Sequence, residues 1–229
     1  MVRPKRNVQI MDLQSAIKET AWKQIAEYGT SSLSLRAIAR DLGITAPAIY
    51  NYFPRRDDLV TALIIDAYTS FGDSQIEARD ALPLEDIIGR FIAIGVAYRQ
   101  WALLYPQRYQ LIFGTPIPGY QPPLEQVYPS GARSMSALVS VVEALRVKGR
   151  LKVENFPQIK PGFEAGIEAW KKFGGEVEVL SISVSILIWS YVHGLVSLEI
   201  SAGLQSFGLN GDELYMFALR QMSKQFTTD

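Results

Sequence analysis

The chain has 229 residues, 48% of them hydrophobic and 20% charged, the composition of a packed globular protein and not of a disordered, collagenous or coiled-coil chain. It has no cysteine and one histidine. That removes disulfide frameworks, thiolate nucleophiles and histidine-rich metal clusters, and leaves His193 as the only imidazole for a Ser-His-Asp triad. The 23 basic and 23 acidic residues cancel, but unevenly: residues 1–60 hold nine Lys/Arg against six Asp/Glu, and the remainder 14 against 17, a basic head on an acidic body.

The first ten residues, MVRPKRNVQI, are basic and lack the apolar run of a signal peptide, so a cytoplasmic protein is expected. Helical spacing begins with Leu13, Ala16, Ile17, Thr20, Ala21, Gln24 and Tyr28, and Gly29 supplies a C-terminal stop. Ser34 caps a second short helix through Arg40. Gly43 breaks it, Thr45 caps a third with Pro47 in its first turn, and Pro54 ends that one. A fourth helix starts near Arg56 or Asp57 with acid in its first turn and runs past Phe71 to about Glu77.

Pro83 opens a long helix through Leu104, and Pro106 a shorter one to Phe113. GTPIPGYQPP, residues 114–123, is a loop with four prolines; another helix covers about 124–148. From Gly149 to Gly175 the prolines and glycines predict a long connection with one short helix around Glu164–Phe173. Two helices, roughly 177–204 and 211–226, close the chain. No stretch alternates apolar and polar residues as a sheet strand would, so the fold class is all-α. Val179 to Leu198 carries no Asp, Glu, Lys or Arg and nears the length of a membrane span. Five serines, His193 and Gly194 dilute it and neither flank is basic, so it reads as a buried helix of a protein with no membrane partner.

The segment LSLRAIARDLGITAPAIYNYFPRRDDL, Leu33 to Leu59, packs two short helices around a glycine turn, the spacing of a helix-turn-helix. Ala39 is small where the helices cross, Gly43 makes the turn, Ile44 and Ile49 fill the core, and Tyr52 and Phe53 anchor the end. Thr45, Ala46, Pro47, Ala48, Tyr50 and Asn51 remain facing outward, few of them bulky or charged, as suits approach to base edges and thymine methyls. Candidate phosphate anchors surround them: Arg36, the hydroxyls of Tyr50 and Tyr52, Arg55, Arg56, and an arm of Arg3, Lys5 and Arg6. An ordinary three-helix packing unit with solvated arginines is the competing explanation.

On Leu42-Gly43-Ile44, Tyr50, Tyr52, Phe53 and Arg56, residues 12–65 resemble the DNA-binding head of the TetR family of bacterial transcriptional regulators. WSYVHG, Trp189 to Gly194, with YPQRYQLIFG, Tyr105 to Gly114, resembles a subgroup marked by a Trp-His-Gly signature in the C-terminal domain. The resemblance implies DNA contacts at Ser34, Arg36, Thr45, Ala46, Pro47, Tyr50, Asn51, Tyr52 and Arg56, and a ligand-binding, dimerising body. The chain departs from the family where Asp57 and Asp58 flank Arg56. Ala46 and Ala48 donate no hydrogen bonds, which shifts readout toward van der Waals contact and DNA shape.

The body supplies aromatic residues for a pocket: Trp101, Tyr105, Tyr109 and Phe113 on consecutive helices, with Trp170, Trp189 and His193 further on. Each could equally fill a core, and His193 could satisfy a buried polar neighbour. The penultimate helix has two apolar stripes. Val184, Leu187, Ile188, Tyr191 and Leu195 form one and Ile182, Ile186, Trp189, Val192, Val196 and Ile200 the other. With Leu214 and Phe217 of the last helix, two copies can form a four-helix bundle across a two-fold axis.

The sequence therefore reads as a DNA-binding head over 1–56, a linking helix over 57–78 and a ligand-binding and dimerisation domain over 79–229. The expected function is a homodimeric regulator that represses from a palindromic operator and is released by a small apolar or aromatic effector, with no catalytic residue, metal or cofactor. Two alternatives remain: a helical small-molecule carrier without operator binding, and a helical hydrolase using Ser190 or Ser197 with His193. The latter lacks an elbow motif and places its residues three and four apart on one helix.

Overall fold

The computed structural model describes residues 6–152, 163–205, 208 and 211–228. Ten α-helices occur among them: α1 (Arg6–Tyr28), α2 (Leu35–Asp41), α3 (Ala46–Tyr50), α4 (Arg56–Asp80), α5 (Ile87–Leu104), α6 (Pro106–Phe113), α7 (Leu124–Val147), α8 (Phe163–Gly174), α9 (Val179–Ile200) and α10 (Gly211–Phe226). The described residues form no sheet strand, only an isolated bridge between Leu151 and Thr227. The all-helical expectation holds. The fifth helix starts at Ile87 and not near Pro83, because the Asp86 carboxylate accepts the Gly89 N–H at 2.8 Å and fixes the cap there.

Two compact units emerge: Met1–Ala67 with Gln107–Val127, and Tyr68–Pro106 with Tyr128–Asp229. In the first, α1 to α3 close over Ile17, Ala21, Ile38, Ala39, Ile49 and Phe53, all buried. The turn between α2 and α3 is a Schellman cap: Gly43 N–H donates to Arg40 O at 3.1 Å and Ile44 N–H to Ala39 O at 2.9 Å. Gly43 sits at φ 65°, where a side chain would be strained. Residues 107–127 join this unit through Arg108, whose guanidinium lies 5.3 Å from the Trp22 ring centre, and through Tyr120, whose hydroxyl shares a 2.9 Å hydrogen bond with Thr61.

In the second unit α10 packs on α5 and α9, and α5 on α9. Gly95 allows the close fit of α10: a Cβ there would come within 2.5 Å of Leu219 Cδ2. Tyr215 of α10 donates to Gly95 O at 2.6 Å. Arg99 reaches both partner helices, donating to Glu199 of α9 and Asp212 of α10, and these two carboxylates hold it charged beyond the ordinary arginine range.

By length and composition α5 and α9 could each cross a membrane. Three serines in the first half of α9 are buried and partnered: Ser181 donates to Glu143 Oε2 at 2.6 Å, Ser183 to Val179 O and Ser185 to Ser181 O. That arrangement suits a core helix.

Candidate functional site

The outer face of the helix-turn-helix carries Arg36, Thr45, Ala46, Pro47, Tyr50 and Asn51, all exposed, while Ile49 between them is fully buried. Tyr52 is half-buried. Arg36 makes no hydrogen bond or ion pair among the described residues, so its charge is available to a partner. Arg6 opens α1; Arg3 and Lys5 of the expected arm lie outside the described residues.

Arg56 is placed differently from a phosphate anchor. Its Nε donates to Leu33 O at 3.1 Å and a terminal nitrogen to Thr30 O at 2.8 Å, so it fastens the start of α4 to the segment between α1 and α2. Thr30 O already accepts the Leu33 N–H at 3.3 Å and Leu33 O lies just past the 3-10 turn Thr30–Ser32; a guanidinium with five donors meets both carbonyls. Arg55 is occupied by Asp58, which receives its backbone N–H, Nε and a terminal nitrogen; that hydrogen bonding holds the Asp58 carboxyl below the usual carboxylate range. The acid after Pro54 thus caps α4 and neutralises Arg55.

Ser34 serves as the α2 N-cap, its Oγ accepting the Ala37 N–H at 3.4 Å. Gln24 fixes this helix from both ends: its Oε1 accepts the Ser34 N–H at 3.4 Å and its Nε2 donates to Asp41 Oδ2 at 3.1 Å. Sequence reasoning placed Gln24 in the apolar stripe of α1 without a task. Its being the polar member of a buried stripe was the available signal.

The aromatic residues expected to share a pocket are dispersed. Tyr109 and Phe113 stack on each other, rings 5.1 Å apart, in the first unit. Trp101 is buried in the second unit against Phe71 and Tyr105 and donates its indole N–H to Ser70 Oγ at 3.0 Å. Trp170 packs on a separate cluster of Val139, Ile167 and Ile182. Of that set, Trp189 lines an apolar cavity of the second unit.

That cavity is lined by five helices: Phe71 and Gln75 from α4, Phe91, Ile94 and Tyr98 from α5, Ser134, Met135 and Leu138 from α7, Ile188, Trp189 and Val192 from α9, and Leu219 from α10. Its free space is about 20 Å³, room for a water-sized group. No charged residue lines it. His193 borders it through Tyr98, whose hydroxyl lies 3.0 Å from His193 Nδ1, and its ring stacks 5.1 Å from Trp189. Ser197 Oγ is 3.4 Å from His193 Nε2, and Ser190 donates to Leu187 O.

Burial pushes the His193 imidazole below its ordinary value of 6.5, because desolvation disfavours the cation. Folded chains therefore stay unprotonated where unfolded ones take up a proton. The contribution of His193 to stability is complete above about pH 6.5 and declines as the pH falls below that. The nuclear magnetic resonance titration of this single imidazole is expected to give a midpoint below 6.5; a midpoint at or above it contradicts the buried placement.

On α9 and α10 the apolar residues divide between core and surface. Val184 and Ile188, expected on an interface stripe, are 0% and 3% exposed and belong to the protomer core; Ile188 lines the cavity. The outward set is Ile186, Leu187, Tyr191 and Leu198 on α9 with Phe217 on α10, all exposed, while Leu195 and Leu214 are half-buried. Spacings of four and seven place Leu187, Tyr191 and Leu198 on one face.

Residues 17–63 match the family described as bacterial regulatory proteins, tetR family, and residues 91–222 the tetracyclin repressor-like, C-terminal domain. The HTH-type transcriptional regulator Rv1816 of Mycobacterium tuberculosis is 31% identical over 188 residues, 82% of this chain and 80% of that protein. Among solved structures, the regulatory protein SCO4313 superposes with a TM-score of 0.76 at 32% identity, covering 95% of this chain and 98% of the other. The fold is also that of SmeT, solved in complex with triclosan, at a TM-score of 0.61 and 13% identity, covering 94% and 92%. With a helix-turn-helix whose outer face is open and a second, helical unit, the chain belongs to the TetR family of DNA-binding transcriptional regulators.

Proposed function

We propose that the protein is a cytoplasmic repressor that binds a palindromic operator as a homodimer and leaves it when a neutral, largely apolar ligand enters the cavity of the second unit. The exposed face of Thr45, Ala46, Pro47, Tyr50 and Asn51 carries this reading: a short helix with a buried Ile49 and small or hydroxylated residues outward is shaped for base edges. Arg36 beside it supplies a free cation for a phosphate. The outward apolar residues of α9 and α10 supply the surface for a second copy.

The work is binding, without covalent chemistry. α4 is one unbroken helix that starts at Arg56 and also carries Phe71 and Gln75. Occupation of the cavity would shift the population between arrangements of the head that fit the operator and ones that do not. The triclosan bound by SmeT is a precedent for a mostly apolar ligand on this fold.

Selection of binding sites from a random duplex library tests the reading. The expected product is a two-fold symmetric sequence with half-sites about 10 base pairs, or a multiple, apart, bound with an affinity that falls steeply with salt. An asymmetric site, or binding indifferent to sequence, overturns it.

A further inference from the structure

Gln75 is 4% exposed and its amide is only half used by the protein. Its Nε2 donates to Phe71 O at 3.1 Å and to Ser134 O at 3.4 Å. Both partners are backbone carbonyls, which only accept, so the orientation of the amide is fixed by chemistry: the NH₂ must face them and the oxygen must face away. Oε1 accepts no hydrogen bond among the described residues, and Gln75 is a wall of the cavity.

The other polar groups of that wall are engaged. Ser134 Oγ donates to Gly131 O at 2.7 Å and the Tyr98 hydroxyl is hydrogen-bonded to His193. Apart from the indole N–H of Trp189, the remaining side chains of the wall are hydrocarbon, aromatic or thioether. A ligand donor that meets this acceptor regains the hydrogen bond it gives up in water, which the hydrocarbon part of the wall cannot offer it.

We infer that Gln75 is the specificity residue of the cavity: its Oε1 selects neutral apolar molecules that carry one hydrogen-bond donor, as phenols and alcohols do, over hydrocarbons of the same shape. This rests on the reading of the cavity as a ligand site. The space must widen to admit such a molecule, and Met135, half-buried on the wall, is the side chain best able to give way, being unbranched with three rotatable bonds.

Phenol and toluene, equal in shape and differing in the donor, test it on the full chain by titration calorimetry. An apolar site without an acceptor favours toluene, because the phenol hydroxyl leaves its water partners unrepaid. The wild type is expected to bind phenol at least as tightly as toluene. Gln75→Met, which keeps the length and removes the acceptor, is expected to shift the ratio at least tenfold toward toluene while toluene affinity stays within about twofold, in keeping with the cost of leaving a buried hydroxyl unpaired.

A wild-type preference for toluene, or a ratio unmoved in Gln75→Met, overturns the role of Gln75 and leaves the cavity standing as a ligand site. Binding of neither compound overturns the cavity reading and this inference with it. Should Gln75→Met fail to fold, cyclohexanol against methylcyclohexane on the wild type decides: preference for the hydrocarbon overturns the proposal and preference for the alcohol supports it.

Discussion

Leu187→Asp is expected to make the protein monomeric at micromolar concentration and to lower its operator affinity by about 100-fold or more, the scale of gain that linking two binding modules confers. Leu187 is 48% exposed within the protomer and Phe217 60%, so a charge at either is solvated in the single chain and the fold should survive. In a two-fold bundle the same carboxylate is buried against its own copy, where desolvation and like charge both oppose association. Sedimentation velocity and DNA retardation at one fixed salt concentration, with circular dichroism to check helicity, measure the three quantities. Phe217→Asp should behave alike. A wild type that sediments as a monomer would remove both the bundle and the symmetric operator.

The second large effect separates two arginines that a sequence pattern treats alike. Arg56→Ala should destabilise the head by about 2–4 kcal/mol, since a charged donor to two carbonyls is lost and the acceptors are left partly buried. Because the Arg56 guanidinium is already spent on Leu33 O and Thr30 O, the variant should bind DNA less well through loss of folded head, with the slope of log K against log salt unchanged. Arg36→Ala should do the reverse. Its stability should move by less than about 0.5 kcal/mol, as at other exposed positions, while the salt slope falls by about 1 as one phosphate contact disappears. Chemical denaturation followed by salt titration distinguishes them; a reduced slope in Arg56→Ala would restore Arg56 as a phosphate anchor.

The helix-turn-helix was legible because its determinants are local. Gly43 at a positive φ, Ser34 at a cap and Ile38, Ala39 and Ile49 at helical spacing are all readable within twenty residues. The role of Gln24, ten and seventeen residues from its partners, and the inward turn of Arg56, more than twenty from its own, depend on tertiary placement that periodicity does not encode. The cavity was the least legible part. Its wall draws single faces from five helices, whereas the aromatic run from Trp101 to Phe113, adjacent in sequence, is divided between two units by the break at Tyr105 and Pro106. In α9, apolar nearly all round, periodicity gave two equivalent stripes. Packing chose between their members one by one, sending Val184 and Ile188 inward and leaving Leu187 and Tyr191 outside.

Arg99 ties the last turn of α9 to the first turn of α10 by binding Glu199 and Asp212 at once. The two helix ends are thus held by charge from α5, whatever the length of chain between them. Lengthening such a connection costs closure entropy that grows only with the logarithm of its length. Sequence inserted between α9 and α10, whether a tag added at the bench or residues gained in evolution, is therefore expected to leave the two helices in register.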